Sequence, residues 1–391
     1  MAYNRKQRLN DNIKAIETAF ILDREQRTPT ARERLLLERY CGFGGLKCIL
    51  NPARELADAV HWAKSDLELF APTVELHRLI RENSKNESEY KQLMDSLKQS
   101  VLTAFYTPSA VTEALTDVLK EHQIIPEKVL EPSAGIGAFV DSVLDNNPKA
   151  DIMAFEKDLL TGKILRHLHP EQKVRIEGFE KIEKPFNDYF DLAISNIPFG
   201  DVAVFDPSYT AMKGMRALVT RRIHNYFFVK ALDTVRDGGL VAFITSQGVL
   251  NAKNNSAARF MMLYHADLVS AIRLPNNLFT ENANTEVGSD LIILQKNSQK
   301  ESLRGDDNLL DTVYNDENRI PTNNYFLEHP ERIIHTTAKL DTDPFGKPAM
   351  IYTHEDGVEG IAEDLRKMLH EDFKKNLNLS RYLGIEETMS D

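Results

Sequence analysis

The chain reads as an α/β protein built on a mostly parallel β-sheet with helices on both faces. Between Val101 and Lys296 short, almost continuously apolar runs alternate with amphipathic stretches. Such runs belong to strands buried on both faces, and the alternation belongs to crossover connections. A third observation agrees: a glycine-bearing turn, Glu131 to Gly137, follows the first of those runs and leads into a helical pattern. Ligand sites of open parallel sheets are built at strand ends of that kind.

The elements follow in order. Residues 1–100 carry apolar residues at helical spacing in DNIKAIETAFILDRE and ARERLLLERY, which predicts a helical N-terminal region. The glycines at 42, 44 and 45 interrupt it and supply backbone freedom there, and polar residues 81–99 form an exposed helix or a linker. The sheet-bearing zone, 101–296, should hold strands at Lys128–Glu131, Ile152–Glu156, Val174–Glu177, Phe190–Ser195, Leu240–Thr245, Leu268–Arg273 and Leu291–Lys296. Helices are expected between them, among others at Ser109–Lys120 and Ile223–Arg236. Residues 297–391 are polar, then irregular, with one helix expected at Ile361–Lys375; this zone reads as a C-terminal appendage of unknown role.

The 391 residues carry a net charge of −11, which argues against non-specific coating of nucleic acid. One stretch reverses the sign: Pro207 to Lys230 holds no Asp or Glu but contains Lys213, Arg216, Arg221, Arg222 and Lys230. It reads either as a phosphate-contacting surface or as a helix face with snorkelling basic stems. The two cysteines, Cys41 and Cys48, lack the companions of a zinc site or disulfide framework, so no metal is expected. No signal-peptide core is visible in the first twenty residues, and no uncharged apolar run approaches the ~18 residues of a membrane span. A cytoplasmic protein with no membrane partner is the expectation.

The segment Glu131-Pro132-Ser133-Ala134-Gly135-Ile136-Gly137-Ala138-Phe139 points to a nucleoside-like cofactor. Val140 stands where a dinucleotide motif has its third glycine. An acid before the glycines would repel a pyrophosphate and suits a cofactor bearing an ammonium group, S-adenosylmethionine. Glu156, closing the next strand, can accept hydrogen bonds from ribose hydroxyls. Phe179 and Glu180, after the third strand, offer contacts to an adenine face or edge.

The fourth strand runs into Ser195-Asn196-Ile197-Pro198-Phe199-Gly200. An exocyclic amine on a base is a poor nucleophile because its lone pair is delocalised into the ring. Two acceptors gripping its N–H groups favour an sp³-like nitrogen and aim the lone pair at a methyl donor. Asn196 supplies a side-chain carbonyl and residue 197 a backbone carbonyl. Pro198 stiffens the turn, and Phe199 offers a face for an extruded base. Ile197 keeps the carbonyl that a proline would supply, and preceding Pro198 biases it to an extended backbone.

These segments together resemble the amino-group DNA methyltransferases, in particular the N6-adenine modification subunits of type I restriction systems. The family's F-x-T-P element matches Phe105-Tyr106-Thr107-Pro108, and its acid-Pro-x-x-Gly-x-Gly motif matches Glu131 to Gly137. The N-P-P-F motif matches Asn196 to Phe199 with isoleucine for the first proline, and G-G-L matches Gly238-Gly239-Leu240. An L-P-x-x-x-F motif matches Leu274 to Phe279. The resemblance implies a Rossmann-like methyltransferase fold with a seven-stranded, mostly parallel sheet. It implies transfer of a methyl group from S-adenosylmethionine to the N6 amine of a flipped adenine in duplex DNA. Tyr106 and Thr107 would then join Glu131, Pro132, Ser133, Gly135, Gly137, Phe139, Glu156, Phe179 and Glu180 around the cofactor. Lys213, Arg216, Arg221 and Arg222 would contact DNA.

RTPTARERLLLERYCGFGGL resembles the segment before the methylase of phage and mobile-element proteins that join it to a helicase. No G-x-x-x-x-G-K-[ST] is present here, so a stand-alone relative and a piece of a longer polypeptide both fit. A specificity subunit or an associated helicase is an expected partner. Methylation of RNA adenine or of a protein glutamine uses similar motifs and remains an alternative, as does a subunit active only with a partner.

Overall fold

The computed structural model describes residues 4–103, 106–212, 214–280, 286–303, 307–314, 319–343 and 346–385. Seven strands form the central sheet: β1 (Lys128–Glu131), β2 (Asp151–Phe155), β3 (Lys173–Arg175), β4 (Phe190–Asn196), β5 (Val235–Ser246), β6 (Ala266–Leu274) and β7 (Ser289–Lys296). Their order is β3-β2-β1-β4-β5-β7-β6. All neighbouring pairs are parallel except those of β7, which runs antiparallel to β5 and β6. The expected strands are all present. β5 begins five residues earlier than expected, with an irregular register against β4 at its start.

Strand residues alternate between two cores because successive side chains point to opposite faces. Val129, Ile152, Leu192, Ile194, Ala242 and Ile244 enter one cluster, and Leu130, Met153, Phe155, Ala193, Val241 and Phe243 enter the other. Both faces are therefore dry, which explains runs such as Leu-Ala-Ile-Ser with no polar alternation. Going from β1 the chain adds strands to one side, then returns and adds the rest to the other. The carboxyl ends of β1 and β4 accordingly flank the switch point, where loops diverge and leave a crevice.

The N-terminal zone holds helices and lies against the sheet domain. Helices Arg5–Glu25, Ala31–Leu37, Phe70–Glu82 and Glu87–Thr103 share a hydrophobic cluster with Leu160, Ile164 and Leu168 of the crossover helix Leu159–Leu168. A polar rim accompanies it. Asp23 meets Lys163, Arg166 (3.1 Å) and His167 (2.8 Å), while Arg34 donates to the helix-terminal carbonyl of Leu168 at 2.7 Å. Burial disfavours ionisation of Asp23, but the bonds from His167 and Lys163 outweigh it and hold the carboxyl well below the usual range.

The zone expected as a C-terminal appendage sends its long helix, Gly357–Asn376, back into the core. Ile361, Leu365, Leu369 and Phe373 are buried among residues of the helix Ser109–Glu121 and of β6. Asp372 accepts a 2.6 Å bond from Ser270 of β6. The following segment reaches the G-G-L turn: the carbonyl of Arg381 sits 2.2 Å from where a Cβ on Gly238 would stand, and Gly238 has φ +76°. The sequence pattern located this helix but not its berth, since an amphipathic stripe does not say what it packs against. Truncating Leu365 to alanine should cost ~2–5 kcal/mol of stability in urea unfolding, the range for a buried leucine; a cost under ~0.5 kcal/mol, as for a surface site, would refute the berth.

Candidate active site

At the carboxyl end of β1 the chain must turn sharply under its neighbours. Gly135 (φ +56°) and Gly137 (φ +92°) make that turn. A Cβ on Gly135 would lie 2.8 Å from the Tyr106 ring, and one on Gly137 would lie 2.7 Å from His169 Nε2. Neither position has room for a side chain. Helix Ala138–Asn146 starts directly afterwards.

Glu131 ends β1 with its side chain 1% exposed. The Ser195 hydroxyl lies within hydrogen-bonding reach of the Glu131 carboxylate and of the Ser133 carbonyl (3.3 Å), and one hydroxyl proton cannot serve both. Glu131 Oε2 has no protein partner among the described residues. Burial pushes the carboxyl well above its ordinary pKa. A buried acceptor of this kind calls for a donor, and a cationic or hydroxyl-bearing ligand supplies one.

Glu156 follows β2 and accepts from the Gly135 amide (2.8 Å) and the Asp158 amide (2.7 Å). A carboxylate offers roughly four lone-pair sites, so capacity remains for ligand hydroxyls. Burial, then the neighbouring Asp158 charge, pushes Glu156 up to about 8. Glu180 stands over Gly178, its carboxylate oxygen 2.1 Å from where a Cβ would be, with Lys157 Nζ at 4.0 Å. The glycine is what lets the acid turn inward.

Tyr106 and Thr107 lie on the other side of the glycine turn. Thr107 is buried with a hydroxyl that has no protein partner among the described residues. Both line a cavity of ≈ 310 Å³ shared with Ile136 and Ala138, and with Arg8, Tyr40 and Cys41 of the N-terminal zone. Those last three were not expected at the site; helical spacing gave no sign that this zone would wall a cavity beside the glycine turn. Phe105 lies outside the described residues.

Phe139 and Phe179 are placed differently from the expectation that they face a cofactor. Phe139 points into the core on the inner side of its helix. Phe179 is 1% exposed and enclosed by Phe155 (5.8 Å between centroids), Phe227 (5.3 Å) and Tyr226 (6.5 Å). A side chain at the start of a helix under a sheet gains more from dry packing than from a half-open crevice. Pro132 is likewise buried, and Ser133 half-buried.

β4 delivers Asn196 to the same edge, half-buried, and β4 pairs directly with β1. The Ile197 amide continues the ladder by donating to the Ile244 carbonyl of β5 at 3.0 Å, a bond no proline could make. The Ile197 side chain is buried in the core. Phe199, two residues on and half-buried, meets Phe279 edge to face at 6.2 Å. The L-P-x-x-x-F stretch thus supports the ring that follows the Asn-Ile-Pro turn.

The basic stretch is less bare than its composition suggested. Arg216 forms a two-pronged pair with Asp233 (2.6 and 3.0 Å). Arg222 pairs with Asp201 at 3.0 Å and donates to Asn255, while Lys230 is buried against Asp206 at 3.3 Å. Arg221 is exposed, and Lys213 lies outside the described residues. The acids come from flanking sequence, on either side of the acid-free window. Beside the turn, β5 ends in Thr245 and Ser246, with Ser246 Oγ 3.3 Å from His224 Nδ1.

A sequence model described as N-6 DNA Methylase matches residues 88–390. Defense against restriction protein B of Escherichia phage P1 is 29% identical over 201 residues, 50% of this chain and 8% of that protein. Type II methyltransferase M.XamI of Xanthomonas campestris pv. amaranthicola is 25% identical over 173 residues, 41% of this chain and 33% of that one. The chain therefore matches only a minor part of each relative's length. Among solved structures, the type I restriction-modification system methyltransferase subunit from Streptococcus thermophilus aligns with 96% of this chain and 94% of its own. It does so at 12% identity and a TM-score of 0.42. No described helix is long and apolar enough to cross a membrane, and the described residues hold no cluster suited to a metal ion.

The Glu156 placement has a pH signature. Its pKa rises from 4.5 to about 8 on folding, so the folded state holds a proton that the unfolded chain releases, and stability falls as pH rises between those values. Glu156→Gln should flatten that fall by up to ~1.4 kcal/mol per pH unit, read from urea unfolding across the window. Parallel slopes for the two proteins would show that Glu156 is ionised in the fold.

Proposed function

The chain belongs to the N-6 DNA methylase family, and from that premise we propose that it methylates the N6 amine of adenine in DNA using S-adenosylmethionine. One observation carries the reading. Neighbouring strands β1 and β4 bring a buried carboxylate with an unpartnered oxygen, Glu131, and an exit-turn amide, Asn196, to one sheet edge. The first suits the ammonium of the cofactor, and the second suits the amine that is to be methylated.

S-adenosylmethionine supplies an electrophilic methyl group when bound. Around it Glu131 would take the ammonium, the bare backbone of Gly135 and Gly137 would allow close approach, and Glu156 would accept from ribose hydroxyls. Thr107, with its free hydroxyl, and Tyr106 would close the pocket. Asn196 Oδ1 and the Ile197 carbonyl would grip the two N–H groups of the adenine amine. The Ile197-to-Ile244 bond favours this by anchoring Ile197 to β5 through its amide. Phe199 would stack the extruded base, its plane steadied by Phe279. No general base is needed before transfer, because the amine loses its proton after the new C–N bond forms. Arg221 would meet the phosphates together with Lys213, and Arg216 and Arg222 would contribute as their pairs with Asp233 and Asp201 exchange.

Partner dependence is a second reading, favoured by the small share of its relatives that this chain matches. A specificity subunit, a helicase or a further segment would then supply target recognition, and adding it would switch activity on.

The test is incubation with labelled cofactor and unmethylated duplex DNA, with RNA and peptide arms, and identification of the product nucleoside by mass. N6-methyladenine from DNA is expected. Asn196→Ala should lower kcat ~10²–10³-fold, as for loss of one transition-state hydrogen bond, with cofactor Kd little changed. Methyl transfer to RNA or a peptide alone, or an unaffected Asn196→Ala, would overturn the reading. Glu131→Gln should weaken cofactor binding by ~1.5–3 kcal/mol, the worth of a charge-assisted bond, measured by calorimetry; unchanged affinity would remove Glu131 from the site.

A further inference from the structure

Resting on that reading, we propose that Phe205 is the wedge that enters the duplex and fills the space left by the extruded adenine. Phe205 is 79% exposed, and it is the only phenylalanine among the described residues that the fold leaves exposed. Val202, at 63%, and Met212, Met215 and Leu218 are exposed beside it in sequence. Five large apolar side chains thus stand exposed within seventeen residues.

Phe205 does not dangle. On one side Val204 donates its amide to the Thr220 carbonyl at 2.8 Å and packs against the core. On the other, Asp206 is buried and receives the Ser208 amide (2.9 Å), the Tyr226 hydroxyl (2.7 Å) and Lys230 (3.3 Å). Pro207 stiffens the next position. An aromatic ring held out between two anchored neighbours retains little freedom to lose on docking, which is what an inserted side chain requires.

Topology places it on the correct edge. β4 ends at Asn196, and the helix Ile223–Thr234 carries the chain back to the opposite end of the sheet to begin β5. The start of that helix lies at the carboxyl edge, where His224 meets Ser246 of β5, and Val204 is tied to Thr220 just before it. Phe205 therefore stands near the carboxyl edge, whereas Tyr209 and Arg216 reach Asp233 toward the opposite end. The charge at the start of that helix favours a polyanion: Arg221 is exposed, and Arg222 is half-exposed and held by Asp201, an acid that a phosphate can replace. Extruding a base breaks a pair and two stacks, at a few kcal/mol. Apolar side chains inserted into DNA occupy unstacked steps in this way.

The experiment uses two pools of duplexes with one fixed adenine flanked by random sequence, opposed either by thymine or by an abasic site. Wild type should methylate both. Phe205→Ala should lose about tenfold or more, the equivalent of ~1.4 kcal/mol, on the thymine-opposed pool. On the abasic pool, where part of the unpairing is already done, it should lose much less. Phe205→Trp should retain activity on both, and cofactor binding and melting temperature should match wild type throughout. Equal loss on the two pools would mark Phe205 as a protein-docking or structural residue and overturn the wedge, as would no loss on either. A wild-type chain inactive on both pools, alone and with its partner added, would instead overturn the methyltransferase reading.

Discussion

The pair of carboxylates at the exit of β2 governs how the site is put together. Glu156 clasps the amides of Gly135 and Asp158, so the glycine turn after β1 and the start of the next crossover move as one body. Asp158 in turn caps the helix Leu159–Leu168 by accepting from Leu160 (3.0 Å) and Thr161 (3.2 Å), and it receives the hydroxyl of Ser96 from the N-terminal zone. The short Glu156-Lys157-Asp158 segment thus couples the expected cofactor loop, a structural helix and the zone docked upon it. Holding two acids so close is unfavourable on its own, and backbone donors offset that cost.

Much of this was legible from residue order. Strands buried on both faces announce themselves as apolar runs, and all seven were found because no polar alternation could mimic them. The motif turns were legible for a different reason: an acid, glycines and a proline at strand ends restrict the backbone whatever surrounds them. What sequence concealed was partnership. The window from Pro207 to Lys230 contains only cations, yet Asp201, Asp206 and Asp233 close on three of them from flanking or neighbouring turns. Phe139 and Phe179 stood within motif segments, and the packing of helix and sheet claimed them for the core. Arg8, Tyr40 and Cys41 reach the cavity through tertiary docking, for which an amphipathic period gives no address.

The end of the chain repeats the lesson in reverse. Gly238 drew notice as part of a motif, with no reason visible for a glycine there. The structure supplies one some 140 residues away, where the backbone of Arg381 leans against the Cα. Gln295 of β7 bonds both the Gly238 carbonyl (3.0 Å) and the Asn378 carbonyl (2.8 Å), stitching the two segments together. The last helices therefore close one end of the sheet, and a short motif in the middle of the sequence is shaped by residues near its end.

The amide of Ile197 bears on how this turn can change over evolutionary time. Once the residue after the asparagine donates to Ile244, the β5 carbonyl comes to depend on it. A proline at that place, as in related motifs, would strip the carbonyl of its partner inside a dry sheet, and would also have to refill the hollow of the isoleucine side chain. The isoleucine is thus held in place by its backbone as well as by its side chain, and any residue that replaces it without cost to the sheet brings an N–H of its own.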